Sequence, residues 1–472
     1  MALDKEPNPI KESFSKLKTD EKKSADFIFQ NIPLWIASCL VGLVAVFFTK
    51  LLSFGESIFI SLYNMHKAWV FVLSPIFFFL SYYTVKRFSK YANGSGIPQI
   101  MASLSMPNAQ SKILTNQLLS IRVILVKIVS SFFMSLGGGV IGREGPTIQV
   151  AASILFVINR IVPDSWPKIS HKLMIITGGA SGLAAAFNTP LGGIVFAIEE
   201  LSRNNIRYLR TAVFSSVIIA GFTAQTILGP YLIFGYPDVN SKGFSFFFIL
   251  LLVTIICGIA GAYFGKIIFF INSFKKTLTV KKQYIFGFVA VMIFATIVFF
   301  TNQDTVGSGD LLLDRLLFKE NKMIEWYIIP ARIFNGIVSF TNGGAGGIFA
   351  PALSFGGSIG AYMGQVFTLA PKQVNMLVLV GMVAFLTAFT RSPFTCAVLV
   401  LEMTDRHNTI FYLLIAAWGA NLIASRIADE AYYEKTAEGI AHDMLQELEE
   451  ATKKSEDENK VKDQLIDSKL DK

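Results

Sequence analysis

Four carboxylates stand out in this sequence because apolar or glycine-rich stretches surround them. They are Glu144, Glu199, Glu200 and Glu402. Most other acidic residues between the two charged ends of the chain fall in predicted loops. Burying a carboxylate within a membrane costs free energy, so acids in such positions are candidates for function. The chemistry that they offer is proton transfer, because a carboxyl group can be neutral or charged as its surroundings change.

The sequence also contains an internal repeat. Residues 178–200 match residues 381–403 at an offset of 203, and residues 137–146 match residues 343–351 at an offset of 205. Two halves built on one plan, each with a glycine-rich break before an apolar helix, are typical of secondary transporters. Backbone N–H groups and the dipole at a helix start favour an anion. The sequence therefore predicts an anion site where two helix starts meet.

An alternative use of glycine is close packing between membrane helices. Some of the glycines are expected to serve that purpose, namely Gly356, Gly357 and Gly360.

The repeat separates the four acids into two kinds. Glu199 matches Glu402, so we expect this pair to share a structural task, such as accepting hydrogen bonds at helix ends. Glu200 matches Met403, and Glu144 also has no acidic counterpart. The two unmatched acids are therefore predicted to carry protons. The alternative for Glu144 is a helix-capping carboxylate without a role in transport.

The composition places these residues in a membrane protein. Hydrophobic residues make up 53% of the 472 residues and charged residues 16%, whereas soluble domains are about 25% charged. Residues 32–428 carry 29 basic and 13 acidic side chains. Several apolar stretches approach the roughly 20 residues that cross a bilayer: 33–52, 69–85, 244–270, 285–300 and 410–425.

Cysteine and histidine positions argue against a metal or redox centre. The three cysteines lie in apolar stretches without metal-ligand spacing, and the four histidines are scattered. We therefore expect no metal, no cofactor and no enzymatic activity. An intramembrane enzyme that uses Glu144 with Glu199 or Glu200 as acid and base is a weaker hypothesis, because a nucleophile and metal ligands are missing.

The chain is predicted to have three parts: a cytoplasmic N-terminal segment (1–31), a transmembrane domain (32–428, in halves of roughly 32–210 and 211–428), and a last helix end with a charged cytoplasmic tail (429–472). Disorder is predicted from Thr452 onward. Lys86, Arg87 and Lys90 follow the second span, and basic loops favour the cytoplasm. Both termini are therefore expected to be cytoplasmic, with no cleaved signal peptide.

Three glycine motifs identify a family. They are GSGIPQ at 94–99, GREGP at 142–146 and GGIFAP at 346–351. With the region around Tyr433, they resemble the CLC family of chloride channels and chloride/proton exchangers. The resemblance implies an all-α polytopic membrane fold, an inverted repeat of tilted and broken helices. It also implies a homodimer with one pathway per subunit in a plasma membrane, the inner membrane if the source is bacterial.

The resemblance also implies roles for individual residues. Ser95 and Tyr433, rather than the adjacent Tyr432, would offer hydroxyl groups to chloride, and Ile348 and Phe349 would offer backbone N–H groups. Glu144 would be the gating and external proton glutamate, and Glu200 the internal proton glutamate. Supporting positions are expected at Gly94, Gly96, Pro98, Arg143, Gly145, Pro146 and Gly347.

The expected function is chloride/proton antiport, with chloride as substrate and protons as the coupled ion. The expected surroundings are the lipid bilayer, and no nucleic-acid partner is expected.

A passive chloride channel of the same fold, gated by voltage or pH, is the alternative function, and Glu200 argues against it. Ser95, where nitrate-preferring relatives have proline, favours chloride. The intact glycine motifs disfavour the fluoride-exporting branch, and the C-terminal segment is too short for the CBS domains of many relatives. Arg143 and Lys127 are expected to support the pathway through hydrogen bonds and positive potential, and a purely structural role is the alternative.

Overall fold

The computed structural model describes residues 9–106, 111–202, 211–229, 234–240, 243–320 and 322–470. Helices form almost all of the regular structure in these ranges, and β-type pairing occurs there as two isolated bridges between loops. The polytopic all-α fold expected from the sequence is therefore confirmed. Residues 1–8 of the predicted N-terminal segment lie outside the described residues.

Nine helices lie in the described part of the first half of the chain. They are α1 (Pro9–Met65), α2 (Val70–Phe88), α3 (Ile97–Ser105), α4 (Ser111–Leu118), α5 (Ile121–Leu136), α6 (Glu144–Ile161), α7 (His171–Phe187), α8 (Pro190–Phe196) and α9 (Thr211–Leu228).

Nine more follow in the described part of the second half. They are α10 (Phe244–Thr277), α11 (Val280–Phe300), α12 (Asp310–Phe318), α13 (Ile328–Thr341), α14 (Phe349–Val366), α15 (Pro371–Thr390), α16 (Pro393–Thr404), α17 (Ile410–Ile427) and α18 (Tyr432–Leu470).

Eight helices among the described residues are long and apolar enough to cross a membrane. Two central helices, α7 and α15, are nearly completely buried, whereas α11 exposes most of its surface. A helix that is apolar on every face is stable only where other apolar groups surround it. Small residues permit close contact there: Gly356 of α14 faces Gly381 of α15 so tightly that no side chain would fit at either position. The packing role expected for Gly356 is confirmed.

The two central helices end in the same way. Asn188 after α7 has φ 56°, and Arg391 after α15 has φ 64°, both in the left-handed region. Pro190 and Pro393 then begin the next helices, α8 and α16. Proline suits the first turn of a helix, where its missing N–H removes no hydrogen bond. The offset of 203 residues found in the sequence is thus also an offset between equivalent helix ends.

Glu199 and Glu402 stabilise these helix starts across the repeat. The Glu199 carboxylate accepts backbone N–H hydrogen bonds from Phe394 at 3.1 Å and Thr395 at 2.6 Å, at the start of α16. Glu402 accepts two hydrogen bonds, of 3.1 and 2.8 Å, from the first turn of α8. Each half therefore caps a helix of the other half, which confirms the structural role expected for this pair.

Two predicted boundaries are wrong. The first span does not end at residue 52, because α1 continues to Met65. The tail is not disordered from Thr452, because α18 continues to Leu470. Residues 440–470 contain neither glycine nor proline and place acidic residues four positions before lysines, a spacing that supports a helix despite the high charge. The boundary between the two halves stays a prediction.

Candidate functional site

The three glycine motifs meet at one place. Gly94 N–H donates to the carbonyl of Gly344 at 2.8 Å, and Gly346 N–H donates to the carbonyl of Gly94 at 3.1 Å. Gly142 and Gly347 exchange a pair of hydrogen bonds, both 2.7 Å long. Backbone groups away from water need such partners. Loops from the two halves of the repeat therefore hold each other in position.

Glycine is required at two of these crossings. An ideal Cβ at Gly347 would lie 2.8 Å from the carbonyl oxygen of Gly142 and 3.0 Å from the amide nitrogen of Gly145. Gly96 has φ 97°, and a Cβ there would lie 2.6 Å from the side chain of Gln149. Any other residue would separate the loops or strain the backbone.

A buried lysine holds the loop that contains Ser95. Lys127 is completely buried, and its Nζ donates hydrogen bonds to the carbonyls of Asn93 at 3.2 Å and Gly94 at 2.9 Å. The side-chain amide of Gln99, on α3, also donates to the Asn93 side chain, at 2.9 Å. These contacts fix the loop directly before the start of α3. Lys127 therefore stabilises the loop through hydrogen bonds, and its support of the ion pathway stays a prediction.

Two hydroxyl groups lie side by side next to this loop. Ser95 is 8% exposed, Tyr433 is completely buried, and the two side chains interact. Neither the Ser95 nor the Tyr433 hydroxyl oxygen has a hydrogen-bond partner of good geometry within the described part of the chain. A buried hydroxyl without a partner costs about 1–3 kcal/mol. The pair is therefore suited to donate hydrogen bonds to an anion.

Two helix starts converge on the same region. Helix α6 begins at Glu144 and α14 begins at Phe349, after Ile348. The first N–H groups of a helix have no partner within it, and they carry the positive end of the helix dipole. Pro146 and Pro351 stand in the first turns of these helices, where proline is tolerated. The Phe349 ring stacks on the ring of Tyr433, with centroids 6.4 Å apart, so this helix start lies beside the buried hydroxyl groups.

The Glu144 side chain folds back onto these helix starts. It is 1% exposed, and its carboxylate lies against Gly142 and faces the amide N–H of Ala350 in the first turn of α14. Its Oε1 is 3.9 Å from Nε of Arg143. The carboxylate therefore occupies a position in which backbone dipoles and a guanidinium favour a negative charge.

Glu200 is a second buried acid that interacts with the buried tyrosine. It is 3% exposed, accepts a hydrogen bond from the hydroxyl of Ser392 and interacts electrostatically with Tyr433. It belongs to a π-helical turn, Ala197–Leu201, and turns of this kind often occur at functional sites. Its neighbour Glu199 caps α16, so the two adjacent acids have different surroundings.

A cavity of about 500 Å³ leads to this cluster. Ser95, Ile348 and Tyr432 line it, together with basic residues and the start of α18. The basic residues are Lys90, Lys275, Lys276 and Lys435. A cleft with this excess of positive side chains raises the local concentration of anions.

The fold thus brings the predicted site residues together. Ser95, Ile348, Phe349, Tyr433 and Glu144 lie around the crossing of the three loops, and Glu200 interacts with this cluster through Tyr433. Tyr432 lines the cavity instead, whereas Tyr433 lies next to Ser95. Their roles in transport stay predictions.

Sequence reasoning missed two acids close to this cluster. Glu56 lies on α1, beyond the predicted end of the first span, and Asp310 forms an ion pair with Arg143 at 3.2 Å instead of lying free in a loop. The signal for Glu56 was available: it is the single charged residue in a stretch that is otherwise uncharged over residues 51–62. Asp310 had no comparable signal, because its partner is 167 positions away in the sequence.

Comparison with known proteins agrees with the glycine motifs. The sequence pattern described as voltage gated chloride channel matches residues 77–425. The chain belongs to this family. An H(+)/Cl(-) exchange transporter ClcA from Salmonella agona is 29% identical over 419 residues, which are 84% of this chain and 86% of the relative. A protein of the same name from Klebsiella pneumoniae is 28% identical over 438 residues, which are 89% and 90% of the two chains.

A solved structure supports the fold. The crystal structure of a slow cyanobacterial Cl-/H+ antiporter superimposes with a TM-score of 0.74 at 24% identity, and the match covers 87% of this chain and 97% of the other. The arrangement of tilted and broken helices expected for a CLC protein is therefore confirmed.

Proposed function

We propose that this chain is a chloride/proton antiporter. One observation carries the proposal: a cluster of uncharged hydrogen-bond donors is accompanied by two buried carboxylates, Glu144 and Glu200, that have no acidic counterparts in the repeat. The relatives from Salmonella and Klebsiella, which bear the name of H(+)/Cl(-) exchange transporters, support it.

Chloride is bound by neutral donors in this mechanism. The Ser95 and Tyr433 hydroxyl groups and the N–H groups of Ile348 and Phe349 all donate, and the dipole of α14 adds positive potential. Neutral donors bind an anion without the tight Coulomb attraction of a full positive charge, so the ion can leave again. Ser95 also supports chloride as the substrate, because its hydroxyl is available to the ion.

Glu144 links the anion to the proton. Its ionised carboxylate occupies the position at the starts of α6 and α14 and excludes chloride from it. When the carboxylate takes up a proton, it loses its attraction to the helix starts, leaves this position and allows an anion to bind. One residue therefore competes with chloride and carries the proton that is exchanged for it.

Glu200 transfers protons on the cytoplasmic side. It is buried beside Tyr433 and has a hydroxyl partner, Ser392, that can accept or donate a hydrogen bond. A passive channel has no need for a second buried carboxylate away from the anion site. This acid is the observation that favours exchange over channel conduction.

The orientation follows from basic residues. We infer that the cavity lined by Lys90, Lys276 and Lys435 opens to the cytoplasm, since short basic loops favour that side. Both termini are then cytoplasmic, in a plasma membrane. Large apolar side chains exposed on the helix surfaces, such as Phe222 and Trp418, support contact with lipid and with a second subunit. We propose a homodimer with one pathway per subunit and transport without an enzymatic reaction.

The test is flux from reconstituted liposomes with a chloride gradient and no initial proton gradient. Antiport predicts that chloride leaving the vesicles drives protons inward, and that an uncoupler collapses the resulting pH difference. In Glu144→Gln the neutral amide cannot carry a proton, so chloride flux should persist without proton movement. Chloride flux without proton movement in the unmodified protein would contradict antiport and favour the channel.

A further inference from the structure

Glu56 is a half-buried acid that the mechanism above does not use. It lies on α1 within the apolar span Asn31–Met65, and its carboxylate accepts a hydrogen bond from the Ser308 hydroxyl at 3.2 Å. An ionisable side chain in a membrane-spanning helix needs a structural or a functional explanation. The obvious structural explanation is that it serves as counter-ion to the buried Arg332.

The hydrogen bonds of Arg332 do not involve Glu56. Its guanidinium donates to three backbone carbonyls between Asp304 and Gly307, at 2.6–3.0 Å, and to the hydroxyl of Ser354 at 2.9 Å. These bonds fix the loop before α12 without Glu56. The attraction between Arg332 and Glu56 is electrostatic and acts without a direct hydrogen bond in the described part of the chain.

A chain of polar contacts leads from Glu56 to Glu144. The Ser308 oxygen that donates to Glu56 accepts the N–H of Asp310 at 3.3 Å. The Asp310 carboxylate pairs with Arg143 at 3.2 Å, and Nε of Arg143 lies 3.9 Å from the Glu144 carboxylate. The contacts connect α1, the loop before α12 and the start of α6.

Two cavities meet at Glu56. The larger, of about 180 Å³, is lined by Glu56 and by charged residues of the α12 region such as Asp314 and Arg315. Its lining includes Gln303, which follows Thr301, and the Thr301 carbonyl accepts a hydrogen bond at 3.0 Å from Lys67, directly before α2. The lining of the 500 Å³ cavity includes Lys90, beyond the other end of α2. The two cavities therefore approach the site from opposite faces of the membrane.

The smaller cavity, of about 20 Å³, is lined by Glu56, Ser135, Ser308 and Arg143. A space of ~10–15 Å³ with polar walls holds one water molecule. Nε of Arg143 is buried and makes no hydrogen bond within the described residues, so a donor is available on the side of this cavity that leads to Glu144. One water in this space would join Glu56 to the Arg143–Glu144 region.

We propose that Glu56 is a proton relay between the 180 Å³ cavity and Glu144, and that Asp310 is a positioning residue that holds Arg143 between them. The inference rests on the proposed antiport. A proton passes from water in the larger cavity to the Glu56 carboxylate, then through water in the smaller cavity to the Glu144 carboxylate, and Glu56 regains its negative charge. The reverse sequence releases the proton. Arg143 keeps its own protons throughout, because a guanidinium stays charged in proteins.

The test compares Glu56→Gln in two backgrounds. In the unmodified protein chloride and protons turn over together, so loss of the relay should slow both fluxes at least about tenfold. A positioned proton-transfer group usually contributes about 10²–10⁴-fold, so tenfold is a conservative minimum. In the Glu144→Gln background chloride flux needs no proton, so the same substitution should leave that flux unchanged. Glu56→Asp should recover part of the coupled rate because it restores a carboxylate.

Asp314→Asn provides the matched control. It removes an exposed carboxylate from the same cavity, outside the polar chain, and should leave coupled flux unchanged. An equal loss of chloride flux in both Glu56→Gln backgrounds would mean that Glu56 is structural, and no loss of coupled flux would remove it from the proton route. If the unmodified protein moves no protons against chloride, the antiport proposal itself fails first.

Discussion

Glu199 and Glu200 are adjacent acids with different surroundings. Glu199 is held by N–H groups of α16, whereas Glu200 lies beside the hydroxyl of Ser392 and the ring of Tyr433. The sequence repeat distinguished them because Glu199 has an acidic counterpart and Glu200 does not. At the scale of single residues, the break in the repeat therefore separates a helix-capping acid from one with a different set of partners; its role in proton transport stays a prediction.

Substitution of Glu200 tests its role directly. Glu200→Gln keeps the size of the side chain but cannot bind a proton, so chloride-driven proton movement should be lost while chloride flux remains. The measurement is simultaneous chloride and pH recording in liposomes. Glu199→Gln is the matched control and should lower stability without loss of coupling. Intact proton movement in Glu200→Gln would remove this residue from the proton route.

Ser95 allows a test of ion selectivity. Ser95→Pro removes one hydroxyl and one backbone N–H from the loop, so the balance of donors toward chloride changes. We expect the ratio of nitrate to chloride flux to rise severalfold, as measured by anion exchange in liposomes. Ser103→Ala on α3, whose hydroxyl bonds to its own helix at 2.7 Å, is a control that should leave the ratio unchanged. Unaltered selectivity in Ser95→Pro would show that Ser95 does not contact the ion.

At the scale of elements, the starts of α8 and α16 depend on carboxylates from the opposite half. Short helices in the membrane interior cannot satisfy their first N–H groups with water. The sequence predicted that Glu199 and Glu402 accept hydrogen bonds at helix ends. It did not predict which helix each one caps, because the partners lie about 200 residues apart and meet only when the halves interlock.

The cap predicts a stability effect. Glu402→Gln replaces a charged acceptor at the start of α8 with a neutral one, so we expect unfolding in detergent to occur at a lower temperature, with a loss of roughly 1–2 kcal/mol. Thermal unfolding followed by circular dichroism measures it. Glu320→Gln, an exposed acid after α12, serves as the control. Equal midpoints in both variants would contradict the capping role.

At the scale of the whole molecule, the 500 Å³ cavity has an excess of positive side chains and leads to hydrogen-bond donors that are themselves uncharged. Lys90 pairs with Glu447 at 2.6 Å and Lys276 with Asp443 at 2.8 Å, so α18 neutralises part of this charge. Exposed pairs of this kind add little stability. The charges around the cavity therefore affect the local anion concentration more than the stability of the fold.

Lys435 tests this electrostatic contribution. Lys435→Gln should lower chloride flux by about twofold at low ionic strength, and added salt should remove the difference because exposed charges are screened. Flux at constant chloride with a varied impermeant salt measures the effect. Lys168→Gln, away from the cavity, is the control. A deficit that persists at high salt would indicate a structural role for Lys435.

The sequence by itself determined the membrane class, the repeat, the three glycine motifs and the two unmatched acids, because apolar length, glycine and proline act locally. It could not determine that α1 continues to Glu56 and beyond, or that Asp310 reaches Arg143. It also did not predict that α18 stays helical. The helicity of α18 has a local cause in the spacing of its acidic residues and lysines. Only tertiary structure decides which partners Glu56 and Asp310 meet, because the partners of charges in the membrane interior come from distant segments, and a carboxylate is stable there only where such partners meet it.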